Sequence, residues 1–162
     1  TVTLGSSGDT FTVPSGVTVA GSMANTPAFF VTASSSQSIG NVSATKVTLD
    51  SETYDTDSAF ASNKFTVPSG KAGLYAFNWN IRLQSVADGA TFITSLFKNG
   101  IEVETTRNRD QLGAATDFFH NGAVTLSLAA GDYIEFYIIT SGGATTTNQS
   151  YVYLSGYKLI GV

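Results

Sequence analysis

The sequence predicts an all-β domain, and two patterns in it support that prediction. Apolar and polar residues alternate with a period of two over several stretches, most clearly over residues 73–84. Turn signals separate these stretches, including the VPSG sequence at residues 67–70 and the dipeptide Asn99-Gly100. No stretch shows an apolar period of about 3.6 residues, so we expect about eight to ten antiparallel strands.

The predicted strands follow one another closely from residue 28 onward. We expect them at residues 28–33, 46–54, 65–67, 74–84, 91–98, 101–107, 118–128, 133–140 and 151–160. Residues 1–25 hold only three much shorter alternating segments, which bury too little apolar surface to be stable alone. We therefore divide the chain into a stem or connector (1–25) and a main domain (26–162), with the stem packed on the domain or on its own copies.

Composition excludes several function classes. The 162 residues carry a net charge of −4 and contain no cysteine, so no disulfide, thiolate metal site or cysteine nucleophile exists. The only paired basic residues are Arg107 and Arg109, which argues against nucleic-acid binding. The apolar runs are too short to span a membrane.

The single histidine, His120, shares the apolar side of its strand with Phe118, so we expect a packed histidine. One histidine and no cysteine exclude a catalytic triad, so we expect a protein that is not an enzyme. The carboxylates Glu102 and Glu104 leave glycoside hydrolysis as an alternative, although we interpret them as a solvated strand face.

Loop lengths predict which end of the domain binds a ligand. In an antiparallel arrangement the tight turns fall at one end, and the long polar segments 85–90, 108–116 and 141–149 fall at the other. Long loops gathered at one end often form binding surfaces. Amide and guanidinium groups suit hydroxyl-rich ligands such as surface glycans, although ordinary solvated loops have the same composition. The ligand-binding candidates are Asp88, Arg107, Asn108, Arg109, Asp110, Gln111, Asn148 and Gln149.

The main domain resembles the globular head of the complement C1q / tumour necrosis factor superfamily. The motifs that carry the resemblance occur in the family's order. They are AFFV at 28–31, YD at 54–55, FTVP at 65–68, GLYAF at 73–77, LFKNG at 96–100, LAAGDY at 128–133 and LSGY at 154–157. The resemblance implies a jelly roll of about ten strands that assembles as a homotrimer, with the first and last strands near the axis.

The first and last strands are apolar on both faces, as strands buried between a core and a neighbouring subunit would be. The alternative is that both strands are simply central in their own sheet. The trimer-interface candidates are Phe29, Phe30, Tyr151, Tyr153 and Tyr157. Some relatives bind calcium near the trimer apex, which makes Asp88, Asp110 and Asp117 calcium candidates; otherwise we expect no cofactor.

The N-terminal stretch followed by such a head resembles bacteriophage virion proteins, particularly fibres and appendages. The resemblance implies an extracellular virion protein whose stem contacts other virion proteins and whose tip attaches to a host surface glycan or protein. The alternatives are a capsid decoration or a fibre-capping trimerisation module without receptor binding, and a secreted adhesion domain.

Overall fold

The chain folds into two antiparallel β-sheets with one hydrophobic core between them, as the alternation predicts. The computed structural model describes residues 14–17, 25–113, 116–142, 145–147 and 149–159. Most of the predicted stem, the binding candidate Asn148 and the end of the last predicted strand lie outside these ranges. No helix among the described residues is long and apolar enough to cross a membrane.

The strands are numbered in chain order. They are β1 (Ala28–Thr32), β2 (Ser38–Ile39), β3 (Thr45–Lys46), β4 (Ser51–Asp55), β5 (Phe60–Ala61), β6 (Lys64–Thr66), β7 (Gly73–Val86), β8 (Thr91–Lys98), β9 (Ile101–Glu102), β10 (Asn108–Gln111), β11 (Thr116–Leu128), β12 (Tyr133–Ser141), β13 (Thr145–Thr147) and β14 (Tyr153–Lys158). Sheet A has the order β2-β13-β7-β14-β1-β4, with β11 on the other side of β7. Sheet B has the order β10-β8-β12-β6-β5, with β3 on β12 and β9 on β8.

Strand β7 is the centre of sheet A. It pairs with β11 along one side, from Gly73↔Leu128 to Val86↔Thr116, and with β14 and β13 along the other. Its alternate side chains enter the core, as predicted. They are Tyr75, Phe77, Trp79, Ile81 and Leu83, each at most 2% exposed.

The tight turns gather at one end of the domain, which confirms the predicted polarity. Gly131 N–H donates to Val67 O at 2.9 Å, and Asn99 Nδ2 donates to Asp132 Oδ1 at 2.7 Å, so the three predicted turns touch. Lys98, then Asn99, then the backbone N–H of Ala129 stabilise the Asp132 carboxylate and hold its pKa at about 2. Asn99 has a φ of +53°, the left-handed conformation that Asn-Gly hairpins require.

The longer connections meet at the opposite end, also as predicted. Gln111 Nε2 donates to Gly89 O at 3.0 Å, and Leu112 N–H donates to Ala90 O at 3.0 Å. Gly142 N–H donates to Asn41 Oδ1 at 3.1 Å. Gly142 also packs against Ala90, because a Cβ on Gly142 would lie 3.0 Å from Ala90 Cα. The segments after β7, β10 and β12 therefore lie side by side.

Four predicted segments differ from the structure. Residues 46–54 form two short strands, β3 and β4, rather than one. Residues 101–107 contain β9 and a 3₁₀ helix, Glu104–Thr106, and the predicted loop 108–116 contains β10. The predicted loop 141–149 contains β13.

A single side chain accounts for the break after β9. The Thr106 hydroxyl donates to Val103 O at 2.7 Å and accepts from Leu96 N–H at 2.9 Å. These bonds replace ladder bonds that a continuous strand would make, because a hydroxyl can satisfy nearby backbone groups. The chain then resumes pairing with β8 as β10, at Asn108↔Thr94.

Candidate functional site

Six aromatic side chains lie on the outer face of sheet A, the face turned away from the core. We call this surface the aromatic face. It consists of Phe30, Tyr54, Phe119, Tyr151, Tyr153 and Tyr157. It spans the sheet from its edge strand β4, across β1, β14 and β7, to the opposite edge strand β11.

The first group of these rings lies where β4, β1 and β14 adjoin. Phe30 stacks on Tyr153 with ring centroids 5.3 Å apart, and it lies 6.4 Å from the Tyr54 ring. Cross-strand aromatic neighbours of this kind stabilise a sheet beyond the area they bury. The rings therefore form a fixed surface.

The second group lies near the loop end, around Arg82 of β7. The guanidinium carbon lies 5.1 Å from the Tyr151 ring centroid and 5.5 Å from that of Phe119. Arg82 Nη2 also pairs with Asp117 Oδ2 at 2.5 Å, and Asn80 Nδ2 donates to Tyr151 O at 2.5 Å. The charge of Arg82 is thus matched by Asp117, and its guanidinium lies over both aromatic rings.

The aromatic face holds most of the large hydrophobic side chains that are exposed in the described structure. Large hydrophobic side chains that stay exposed number seven among the described residues, and four of them lie on this face: Tyr54 (49%), Phe119 (48%), Tyr151 (44%) and Tyr157 (39%). The remaining three lie elsewhere, at Val17, Val42 and Ile101. Exposed aromatic side chains gathered on one face of a sheet are typical of an interaction site.

Of the five residues predicted at the trimer interface, four lie on the aromatic face and one lies in the core. Phe30, Tyr151, Tyr153 and Tyr157 lie on the aromatic face, as expected. Phe29 was wrongly predicted to be an interface residue: it is fully buried and stacks on Phe65 at 4.8 Å inside the core. Successive residues of a strand point to opposite faces, so Phe29 and Phe30 could not both be on the surface.

Sequence reasoning missed Tyr54 and Phe119 as members of this face. A signal for Phe119 was available, because assigning Phe118 and His120 to the core side places Phe119 on the opposite side. The same signal was available for Tyr54, because a strand over residues 46–54 with Val47 and Leu49 on the core side places Tyr54 on the opposite side.

The predicted ligand-binding cluster at the loop end does not form as one group. Asp88 is exposed in the turn after β7, and Gln111 reaches that turn through its bond to Gly89. Gln149 lies in a 3₁₀ helix, where its Oε1 accepts a hydrogen bond from Ser36 Oγ at 2.5 Å.

Four further described candidates lie on or beside the edge strand β10, which ends at Gln111, instead of in a loop. Arg107 pairs with Glu102 at 2.8 Å, and Asn108 Nδ2 donates to Asn121 O at 3.2 Å. Arg109 is exposed, and Asp110 points to His120. The described candidates therefore do not form one loop cluster, because residues 108–111 of the predicted loop form a paired strand.

His120 is packed between the two sheets, as its place on the apolar face predicts. Its Nδ1 lies 3.0 Å from Thr94 Oγ1, and its Nε2 lies 3.2 Å from Asp110 Oδ2 without hydrogen-bond geometry. Burial lowers the pKa of His120, opposed by the charge of Asp110. The hydroxyl, ring and carboxylate are in the order of a catalytic relay, but Thr94 is fully buried and His120 is 2% exposed. No substrate can reach the hydroxyl.

The three calcium candidates do not come together in one chain. Asp117 pairs with Arg82, Asp110 lies against His120, and Asp88 is in a separate turn. Within the described ranges, no three carboxylate, histidine or cysteine side chains are grouped as metal ligands. Calcium binding between copies at a trimer apex stays a prediction.

The comparisons with known proteins bear on the fold. No model of a protein family and no curated protein matches this sequence. The globular domain of the zebrafish complement 1qA protein is similar in structure, with a TM-score of 0.59 at 15% identity over 83% of this chain and 98% of that one. Murine APRIL gives a TM-score of 0.57 at 14% identity, covering 82% and 98%. These likenesses and the two antiparallel sheets show that the fold is a C1q/TNF-like jelly roll.

Proposed function

We propose that this domain is a non-enzymatic assembly and binding module that forms a homotrimer through the aromatic face. The observation that carries the proposal is the concentration of exposed aromatic side chains on one sheet face. Aromatic residues are enriched at protein interfaces because they bury a large apolar area while a polar tip remains hydrogen-bonded. The trimeric state implied by the family resemblance gives this surface an occupant, namely two further copies of the chain.

The arrangement of the face suits a ring of three copies. It runs from one edge of sheet A to the other, so it is not a small self-complementary patch. A surface that contacts a different surface of the next copy closes into a ring when the rotation is one third of a turn. The rigid ring pairs Phe30–Tyr153 and Phe119–Tyr151 require little ordering on assembly.

Solution mass tests the assembly directly. Multi-angle light scattering at micromolar concentration is expected to give three times the 16.9 kDa of one chain. A mass of one chain under these conditions would contradict the proposal.

We further propose that the trimer is the head of a bacteriophage fibre or appendage and attaches the virion to the host surface. The support is the resemblance of the N-terminal stretch and the following head to such proteins. The stem would join the head to other virion proteins outside the cell. In an adsorption assay, purified protein is expected to bind host cells and to reduce infection by the intact phage.

A structural module of a capsid or fibre, without receptor binding, is the alternative. Such a module would give a trimer that neither binds host cells nor competes with the phage. Labelling the virion with antibodies against this domain separates the two, because a receptor-binding head must be located at a distal tip.

A further inference from the structure

The two sheets leave an open seam between β11 of sheet A and the segment that leads into β10 of sheet B. In the described part of the chain, β11 pairs on one side with β7, and β10 pairs on one side with β8. A pocket of about 220 Å³ lies in this seam. Its lining includes Trp79, Thr105, Arg107, Asn108 and Gly122.

The wall of the pocket contains a buried hydrogen-bond donor that is not satisfied within the described chain. Trp79 is 2% exposed, and its indole Nε1 has no hydrogen-bond partner among the described residues. A buried donor without a partner is unfavourable, so such groups are rare and commonly have a water or ligand as partner. Trp79 also lines the pocket, which provides space for that partner.

Glycine at position 122 allows Trp79 to occupy this place. Gly122 is the cross-strand partner of Trp79, and a Cβ built on it would lie 2.1 Å from Trp79 Cζ2. Any other residue would push the indole away from the seam. The pocket therefore depends on a specific pair of residues, one from each of two neighbouring strands.

The rim supplies both donors and acceptors, and its charge is balanced. Arg107 Nη1 donates to Glu102 Oε2 at 2.8 Å, so the guanidinium beside the pocket is already matched by a carboxylate. Asn108 Nδ2 already donates to Asn121 O at 3.2 Å, which leaves its second N–H and its oxygen for a ligand. The Thr105 hydroxyl can donate and accept. An anion would require uncompensated positive charge, whereas hydroxyl groups, which donate and accept, match this mixture.

The volume sets the size of the ligand. At about 30 Å³ for each water molecule, the pocket holds about seven waters. Sites for drug-sized ligands are typically about 300–1,000 Å³, so this pocket suits a single ring with its substituents. We propose that the seam pocket binds one sugar ring of a carbohydrate, with Arg107 and Asn108 holding its hydroxyl groups beside the indole of Trp79.

This pocket does not depend on the trimer, although a trimer would carry three copies and bind a polyvalent glycan more tightly. It gives the proposed attachment function a ligand class and a site. Two of its rim residues, Arg107 and Asn108, are among the binding candidates expected from the sequence, but the seam holds them far from a loop cluster.

Trp79 is the only tryptophan in the chain and it lines this pocket, so its fluorescence is the signal to follow. The protein is titrated with glucose, galactose, mannose, rhamnose and N-acetylglucosamine, and in parallel with sodium phosphate and sodium acetate. We expect at least one sugar to give a saturable change in emission. Saturation by the anions alone, or by nothing, would overturn the proposal.

Variants locate the binding. Arg107→Ala and Asn108→Ala are each expected to weaken the sugar response about tenfold. Thr105→Phe fills the pocket from its exposed rim and is expected to abolish the response. The matched control is Arg109→Ala, which removes a neighbouring exposed arginine that does not line the pocket. Equal affinity in the control and the rim variants would contradict the assignment.

The mass of each sample distinguishes this proposal from the proposed assembly. A trimer without any sugar response contradicts sugar binding in the pocket and supports the aromatic face as the assembly surface. A monomer with a saturable, Arg107-dependent response supports sugar binding in the pocket and contradicts the proposed trimer.

Discussion

Both sheets carry aromatic side chains on their outer faces, but only on sheet A do most of these side chains stay exposed to solvent. On sheet B, Phe97 and Tyr137 lie 4.2 Å apart and are half-buried, and Lys64 Nζ lies 4.6 Å over the Tyr133 ring. On sheet A, most rings of the aromatic face stay 39–49% exposed. The difference shows that aromatic content alone does not mark an interface.

Charged side chains explain why the two faces differ. Lys46 Nζ reaches Glu135 Oε1 at 3.1 Å across sheet B, and burial raises the pKa of the neighbouring Tyr137. Lys64 lies over the Tyr133 ring, and the stem of a lysine can cover apolar surface beside it. On sheet A, Arg82 and its partner Asp117 lie at the loop end, with Arg82 over Phe119 and Tyr151. In the described part of the chain, no such cation lies over Phe30, Tyr153 or Tyr157.

The largest expected change in stability comes from comparing two adjacent residues of β1, one on the core side of sheet A and one on its outer side. Phe29→Ala should lower the free energy of unfolding by about 3–5 kcal/mol, because it empties a fully buried site. Phe30→Ala should lower the free energy of unfolding by less, because Phe30 contacts other rings at the surface. Urea unfolding measures both. Equal losses would mean that the two faces of β1 are not distinct.

A second variant disturbs sheet A without altering the aromatic face. Gly122→Ala should destabilise the fold by about 1–3 kcal/mol, because the added carbon overlaps the Trp79 ring. Gly40→Ala is the control, since a Cβ there meets nothing within 4 Å. Thermal unfolding compares them, and the assembly should survive in both. An unchanged midpoint for Gly122→Ala would contradict the close contact.

The pH dependence of the free energy of unfolding tests the burial of His120 between the two sheets. Burial lowers its folded-state pKa below 6.5, so the unfolded chain binds this proton first. The free energy of unfolding should therefore fall as pH drops through 6.5 and level off below the folded pKa. Asp132 acts in a lower window, where its stabilising contribution is lost as pH falls from about 4 toward its pKa of about 2.

The His120→Gln variant isolates the histidine contribution. The chain has one histidine, so this variant should remove the decline between neutral pH and pH 5. Denaturant unfolding at several pH values gives the curve. A decline of the same slope in the variant would assign it to other groups.

The smallest expected change in stability comes from removing the cation that lies over aromatic rings on each sheet. Arg82→Gln and Lys64→Gln should each lower the free energy of unfolding by about 0.5–1 kcal/mol, because each cation lies over aromatic rings at a partly exposed site. The Arg82 variant should also weaken trimer assembly, and the Lys64 variant should not. Dilution experiments by light scattering measure the difference.

The sequence was sufficient for the elements whose signals are local. The alternation from Tyr75 to Leu83 predicted which side of β7 is buried, since side-chain direction follows strand period. The Asn99-Gly100 hairpin and the turn around Gly131 were predictable because those residues allow the positive φ that the structure shows.

Features that depend on register were not predictable. The contact of Gly122 with Trp79 joins residues 43 positions apart, and it exists only in the observed pairing of β11 with β7. The break after β9 depends on the hydroxyl of Thr106, which reaches the backbone of β8. In β1, two adjacent phenylalanines gave no alternation from which to choose the buried one.

Solution mass of two matched variants shows whether the aromatic face assembles the protein. Phe119→Glu places a charge on that face, and Ile101→Glu places the same charge on another exposed apolar residue of the chain. At micromolar concentration, light scattering should give the mass of one chain for Phe119→Glu and of three chains for Ile101→Glu. A Phe119→Glu protein that remains a trimer would contradict the account.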